Sequence, residues 1–344
     1  LANAVGKWIR TEGLEEMTKL TRRKFVALTG AAGVTLIAPG CSEQSADAVY
    51  PQRDITFIIP NGPGGNFDSF VRVIAPAMQK YLPNDVNIVP LNVPAGGGGK
   101  GLADLYRSRP DGYTIGAVNI PGAFTLQEQM GANSFVLSEM TWLGTIAGGE
   151  TYAIVVAPDS PYQTVDDLRA LSQQRPVKFA STGPEGTSYA AIKVASEILG
   201  LDTQIISGYR GSSDYIVATI RGDSDCAVAT LSTLRSFLEG QTVRLAVSFE
   251  EESSVPGVPD ATDIGLPELS QIRVERMVAA PPGLPDDIRQ VLNSALDKAV
   301  RDPDVVAWAE EAGHPWIPQA EGNGDAVMQE QAAFFEKWKS VILS

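Results

Sequence analysis

Residues 55–68 read Ile-Thr-Phe-Ile-Ile-Pro-Asn-Gly-Pro-Gly-Gly-Asn-Phe-Asp. The run Ile55–Ile59 is short and apolar, as a buried strand would be. Pro60 ends it, and Asn61-Gly62-Pro63-Gly64-Gly65 supplies a glycine-rich turn. Phe67, Phe70, Val71, Ile74, Met78 and Tyr81 then recur at helical spacing, with Pro76 expected to kink the run. Strand, glycine turn and helix leave free backbone N–H groups at a helix N-terminus, where an anion can be held without a basic side chain. A plain tight turn between strand and helix reads the same way in isolation, so the neighbouring segments decide.

The arrangement returns at once. Residues 86–93 form a second expected strand, entering Pro94-Ala95-Gly96-Gly97-Gly98-Gly99-Lys100-Gly101 and a short helix over 101–106. Pro110-Asp111-Gly112 is a turn, 113–118 a third strand, and Asn119-Ile120-Pro121-Gly122 a third connection. In an open α/β sheet such loops gather at the carboxyl ends of the strands, where ligands bind. The second loop is not a phosphate-binding Walker loop. Gly99-Lys100 is followed by Gly101 instead of Ser or Thr, and Pro94 holds the place of the first glycine.

The later chain alternates in the same way. Residues 142–146 and 152–156 are expected strands separated by Gly148-Gly149-Glu150. Thr164 with Asp167 caps a helix to about residue 171. A strand over 177–180 enters Ser181-Thr182-Gly183-Pro184-Glu185-Gly186-Thr187-Ser188 and a helix over 189–199. These hydroxyls either face a ligand or simply cap the helix. A strand (203–206), a helix (214–221) and a strand (226–229) complete a βαβαβ-like lobe, and the strand expected at 273–280 crosses back to the first. Helices follow over 286–300 and 304–312, then an amphipathic helix carrying Phe334, Phe335 and Trp338, expected to pack on the first lobe. Arg210 reads as a solvated charge at the rim, Cys226 as a small core residue, and Glu250-Glu251-Glu252 as a solvated run.

Composition excludes several functions. At 344 residues and 44% hydrophobic, the chain can bury the cores of about two domains. A net charge of −14 argues against nucleic acid or anionic membrane as partners, and means that an anion would need local donors. Cys41 and Cys226 do not make a disulfide framework. His314, the one histidine, leaves no His-based metal site or Ser-His-Asp chemistry and reads as a loop residue. No nucleophile elbow, paired-His metal motif or dinucleotide fingerprint is present, so no cofactor, metal or enzymatic activity is expected.

The N-terminus reads as an export signal. Thr21-Arg22-Arg23-Lys24-Phe25 precedes an apolar run over 26–37 that is too short to span a bilayer, the order of a twin-arginine signal. Met17 is the natural start, which sets residues 1–16 outside the working protein. Two exits are open: cleavage after Ala46-Asp47-Ala48, or lipidation of Cys41, whose preceding Ala38-Pro39-Gly40 lacks a large aliphatic residue. Both place the protein outside the cytoplasm, and no later segment is long and apolar enough to span.

Taken in order, Tyr50-Pro51, Pro63-Gly64-Gly65 with Asp68, Pro94-Ala95-Gly96-Gly97 and Pro110-Asp111-Gly112-Tyr113-Thr114 resemble one family. It is the extracytoplasmic solute-binding proteins of tripartite tricarboxylate transporters, the Bug or TctC-like family. Ser181-Thr182-Gly183 with Gly186-Thr187-Ser188, Gly208-Tyr209-Arg210-Gly211, Val255-Pro256-Gly257-Val258-Pro259 and Gly265-Leu266-Pro267 extend the resemblance over about residues 50–320. It implies an α/β, two-lobed, type II-like "Venus flytrap" with two crossing strands. Lobe 1 would comprise 49–153 with 276–344 and lobe 2 would comprise 154–275, behind the signal region 1–48. It further implies a small carboxylate held by amides and hydroxyls of the loops. On this reading the ligand-binding residues are Asn61, Gly64, Gly65, Asn66, Asp68, Ala95, Gly96, Gly97, Asn119, Gly122, Thr151, Ser181, Thr182, Gly186, Thr187, Ser188, Tyr189 and Thr230. Asn61, Tyr189-Ala190-Ala191 and Thr230 depart from the family's usual residues, which puts ligand identity in question while leaving the carboxylate cradle intact. Phe67, Asn119, Thr151 and Tyr189 would line its distal end. The implied partners are the membrane subunits of a tripartite transporter, with the binding protein a monomer. A ligand-presenting module for a membrane sensor kinase is the alternative, and an exported enzyme a further one.

Overall fold

The first strand sets the frame. β1 (Ile55–Ile59) is enclosed on both faces and pairs in parallel with β2 (Ile88–Asn92) and β3 (Thr114–Ile120). The computed structural model describes residues 49–344, apart from Gly65, Ala132, Glu185, Gly313, Pro315 and 317–321. The expected twin-arginine signal, Met17, Cys41 and the Ala46-Asp47-Ala48 site lie outside the described residues. α1 (Asn66–Gln79) follows β1 and buries Phe67, Phe70, Val71, Ile74 and Met78, as their spacing requires. Pro76 lies inside this helix, and Tyr81 lies beyond its end, where its hydroxyl donates to Asp302 at 2.9 Å. α2 (Gly99–Tyr106) begins two residues before its expected start, and α3 (Gly122–Met130) replaces what reads in sequence as a mere connection.

The middle of the chain corrects one expectation. Residues 141–156 do not form two strands broken at the glycines but one, β4 (Thr141–Val156). Its register against β9 (Arg273–Ala280) shifts at Trp142/Gly144, Thr145/Ala147 and Ala147/Glu150, and Gly149 adopts φ +69°. Bulges bend and twist a strand without ending it, so the glycines re-aim β4 instead of breaking it. Its first half pairs with β9, which also pairs with β3. Its second half pairs with β7 (Cys226–Thr230) and β8 (Arg244–Ser248). β5 (Val177–Ala180) and β6 (Thr203–Ile206) extend that side in parallel, giving the order β2-β1-β3-β9-β4-β7-β5-β6 with β8 on β4. The result is a two-lobed α/β fold whose halves are joined through β4 and β9.

Helices cover both halves: α4 (Val165–Ser172), α5 (Thr187–Leu199), α6 (Ser212–Ile220), α7 (Leu231–Glu239), α8 (Asp286–Val300) and α9 (Pro303–Ala312). Thr164 and Asp167 form the expected capping box on α4. α10 (Gly324–Ile342) packs on the first half, as expected, and reaches the second as well. Phe335 stacks on Phe124 of α3 with centroids 4.9 Å apart, while Lys193 of α5 donates to the Ser344 carbonyl at 3.2 Å. Val327, Met328, Phe334, Phe335, Trp338 and Ile342 all pack against the core. Among the described residues no helix is long and apolar enough to cross a membrane.

Glu275 sits where β9 meets the glycine bulge of β4. It is buried, accepts the Gly149 N–H at 2.8 Å, and occupies the space that any side chain at Gly148 would need. Burial pushes its pKa up to about 7, although the Gly149 N–H and the charges of Arg273 and Arg276 act the other way. The folded state therefore keeps a proton that the unfolded chain releases near pH 4.5. Stability falls as pH rises through that window. Glu275→Gln is expected to raise stability at pH 8 by on the order of 3 kcal/mol and to leave it unchanged at pH 4. Urea unfolding at the two pH values measures this.

Candidate functional site

A cleft of about 930 Å³ opens between the halves, and both glycine-rich loops reach it. In the first loop, Asn61 and Gly64 line the cleft. Asp68 does not: it is buried in the first turn of α1. Its carboxylate accepts from Gly64 N, Arg72 Nε and Asn92 Nδ2, each at 2.8 Å. Asn92 Nδ2 also donates to the Asn61 carbonyl at 2.9 Å. Burial would raise the Asp68 pKa, but these donors outweigh it and hold the carboxyl below its usual range. Its charge is thus committed to shaping the loop, in which Gly64 takes the left-handed φ of +80° that glycine tolerates. Asn66 opens α1, and Gly65 lies outside the described residues.

The second loop packs on the first. Gly98 has φ +96°, and a Cβ there would meet the Pro60 carbonyl at 2.4 Å. Gly97 lines the cleft, whereas Ala95 and Gly96 are not part of its wall. Asn119 near the end of β3 and Gly122 at the start of α3 line it, and the buried Asn119 Oδ1 has no protein partner.

From the other half, Thr182, Gly186, Thr187 and Ser188 line the cleft, with Thr230 beside them. Ser181 is fully buried behind this wall, 3.1 Å from Ser188 Oγ. The hydroxyls do not cap α5: its N-cap is Gly186, and no side chain caps it. α3, α6 and α7 also present N-terminal residues to the cleft, namely Gly122, Ser212 and Ser232, and none of the three carries a side-chain cap. The N-termini of α3, α5 and α6, from both halves, therefore converge on one cavity without a side-chain cap, while a first-turn N–H of α7 is taken by a carboxylate, that of Glu150. Thr151 faces a second cavity, of about 1420 Å³, and Tyr189 lines neither. Arg210 is a rim charge, exposed and paired with Asp214 at 2.8 Å.

Several cleft residues escape the sequence reading. Arg276 from β9 is buried at the floor and pairs through Nη2 with Glu150 Oε2 at 2.6 Å. The cleft therefore holds a buried cation in addition to the main-chain donors expected from the loops. Glu150 itself lines the second cavity, behind Arg276, and its Oε1 also accepts the Ser232 N–H at 3.0 Å. Burial raises the Glu150 pKa, but Arg276 and Ser232 together bring it below the ordinary carboxylate range. Tyr152 adds a buried hydroxyl without a protein partner, and burial raises its pKa far above that of a free phenol. His314 lies in a loop, as expected, but is no idle one: its ring packs 4.5 Å from Phe70 and 4.9 Å from Trp308 and lines the cleft. Burial lowers its pKa, so it is neutral at pH 7. The available signals were an arginine and glutamates interrupting apolar strands, and a histidine flanked by tryptophans.

The sequence pattern of the tripartite tricarboxylate transporter family receptor matches residues 70–343. The chain belongs to that family. The receptor is 26% identical over 338 residues to a protein in the tcbD-tcbE intergenic region of Pseudomonas sp. (strain P51), covering 95% of this chain and 96% of that one. It is also 26% identical over 322 residues to protein BugT of Bordetella pertussis, covering 92% and 96%. Among solved structures it is similar to MatC from Rhodopseudomonas palustris with bound malate, at TM-score 0.71 and 22% identity over 85% of this chain and 100% of that one. The periplasmic binding protein BugD follows at TM-score 0.70 and 20% identity, covering 85% and 98%. The receptor shares their two-lobed fold and is a binding protein, not an enzyme.

Asp68→Ala removes the acceptor around which the first loop is tied. It is expected to cost about 2–3 kcal/mol at pH 7. Because the Asp68 pKa is depressed, its stabilisation is present above the unfolded-state value of 3.8 and is lost as pH falls through the folded one. The gap between variant and wild type in urea unfolding should therefore narrow in strong acid.

Proposed function

We propose that this receptor captures a small organic carboxylate in the interlobe cleft and delivers it, outside the cytoplasm, to the membrane subunits of a tripartite tricarboxylate transporter. The observation that carries this reading is the convergence of three side-chain-uncapped helix N-termini, those of α3, α5 and α6, with two glycine loops on one cavity. Charge-assisted hydrogen bonds from such N–H groups contribute about 1.5–3 kcal/mol each. Three or four of them reach about −8 kcal/mol, micromolar binding, after ordering costs. In this reading lobe 1 is 49–153 with 276–344 and lobe 2 is 154–275, so closure hinges within β4 and β9. Asn61, Gly64, Gly97, Asn119, Gly122, Thr182, Gly186, Thr187, Ser188 and Thr230 form the wall, with Asp68 and Ser181 supporting it. MatC with malate and an R. palustris protein with adipate, at TM-score 0.68, support the class of ligand. Export by a twin-arginine signal, with release after Ala48 or anchoring at Cys41, and a monomeric state complete the proposal.

A thermal-shift screen against a panel of mono-, di- and tricarboxylates tests it. A ligand at 100 times its dissociation constant adds about 2.7 kcal/mol of stability. Gly97→Val, at a position with φ +63°, should abolish the shift by crowding the loop mouth. Normal binding by that variant would place the cradle elsewhere.

A further inference from the structure

The floor of the cleft is one face of the sheet where β3, β9, β4 and β7 lie side by side. Arg276 stands opposite Asn119, Val274 opposite Glu150, and Tyr152 opposite Thr230. Strand alternation puts Val274 and Arg276 on the cleft face and turns Glu275 away. Arg276 is held from two sides. Glu150 engages it through Nη2, and its guanidinium lies 4.5 Å above the ring of Phe70, which belongs to the helix that follows the first glycine loop. A guanidinium has five N–H donors in a rigid fork, so donors remain for a ligand after Glu150 has taken its share. Beside it on the cleft wall are two buried polar groups without protein partners: the Tyr152 hydroxyl, which can donate to a carboxylate, and Asn119 Oδ1, which can accept from the guanidinium.

We propose that Arg276 is a specificity-determining residue that binds a second acidic group of the ligand at the cleft floor, while the helix N-termini hold the first. This rests on the carboxylate-binding reading above and narrows it to diacids. Helix ends and glycine loops treat a monoacid and a diacid alike at their first carboxylate. Discrimination must come from the far end, and Arg276 is the cation placed there. Glu150 sets how strongly Arg276 acts. It keeps the empty floor neutral, so the cation is tolerated in a buried site, and a ligand carboxylate must share it. A neutral tail gains nothing from the fork and strands the carboxylate-ready donors.

The test compares dissociation constants of matched pairs by calorimetry: succinate with butyrate, adipate with hexanoate, and terephthalate with benzoate. Tryptophan emission gives a local readout, since Trp308 and Trp316 pack on Phe70 with ring centroids 5.4 and 6.0 Å away. Wild type should prefer the diacid of its best pair by about tenfold or more. Glu150→Gln, which frees the cation, should widen that preference. Glu150→Gln/Arg276→Gln replaces the ion pair with neutral amides and should erase it while monoacid binding persists. Arg276→Lys keeps charge without the fork, should weaken the preference, and carries the test if the double variant does not fold. An unchanged preference in the double variant, or in Arg276→Lys when the double variant is unfolded, overturns the role of Arg276 alone. Failure of wild type to bind any carboxylate overturns the cleft reading and this inference with it.

Discussion

The antiparallel pairing of β4 with β9 is the interaction on which the rest of the molecule depends. β9 is held between β3 and the first half of β4, and the second half of β4 carries β7 and β8. The two halves of the fold are therefore coupled through backbone hydrogen bonds, not through a flexible linker. Three register shifts and a left-handed Gly149 bend β4 where it leaves β9. That bend turns two sheet segments toward one another, and a cleft follows from it. Glu275, wedged beneath the glycines on the side away from the cleft, is the cost of such close approach: a carboxyl whose pKa burial pushes up to about 7.

Once the cleft exists, its electrostatics come mostly from the main chain. A protein of net charge −14 repels anions at long range, so on the proposed reading retention must be local. Parallel strands feeding helices put helix N-termini at the carboxyl ends of the strands, and those ends face the gap. Capping side chains would neutralise the effect by taking the first-turn N–H groups. On α4 a full capping box does this and on α7 Glu150 takes the Ser232 N–H, whereas α3, α5 and α6 at the cleft have no side-chain cap. Asp68 shows the same economy in reverse. Its negative charge lies near the cleft but is turned inward and surrounded by donors, so it shapes the loop without opposing an anion.

Much of this was legible in sequence because it is local. Strands β5, β6 and β9 fall where hydrophobic runs and turn residues place them, and the capping box on α4 is read directly from Thr164 and Asp167. The glycine loops announce themselves for the same reason. What was not legible depends on tertiary contact. Gly148-Gly149 looks like a strand break until a partner strand absorbs the bulge, and Gly122 looks like loop until α3 finds a surface to bury Phe124 and Leu126. α7 and β8 carried too short a pattern to stand out from the segments around them. At the site, residues in glycine loops could be named from composition. Arg276, Glu150 and His314 could not, because they come together only through the β3–β9–β4 pairing and the return of the chain after α9.

The buried pair at the floor also explains why a cation can reside in a cleft otherwise built from dipoles. An isolated guanidinium removed from water costs several kcal/mol, and pairing returns most of it only when geometry and further hydrogen bonds are good. Here Glu150 meets Arg276 at 2.6 Å, takes a backbone N–H from Ser232, and the guanidinium rests on Phe70. Each support comes from a different element: Glu150 from β4, Ser232 from α7 and Phe70 from α1. The pair therefore joins the strand that links the two halves to the helices on either side of it. Any movement of one half against the other changes the surroundings of this cation. A ligand that touches it meets both lobes at once, and the first glycine loop is coupled to the floor through the helix that the loop begins.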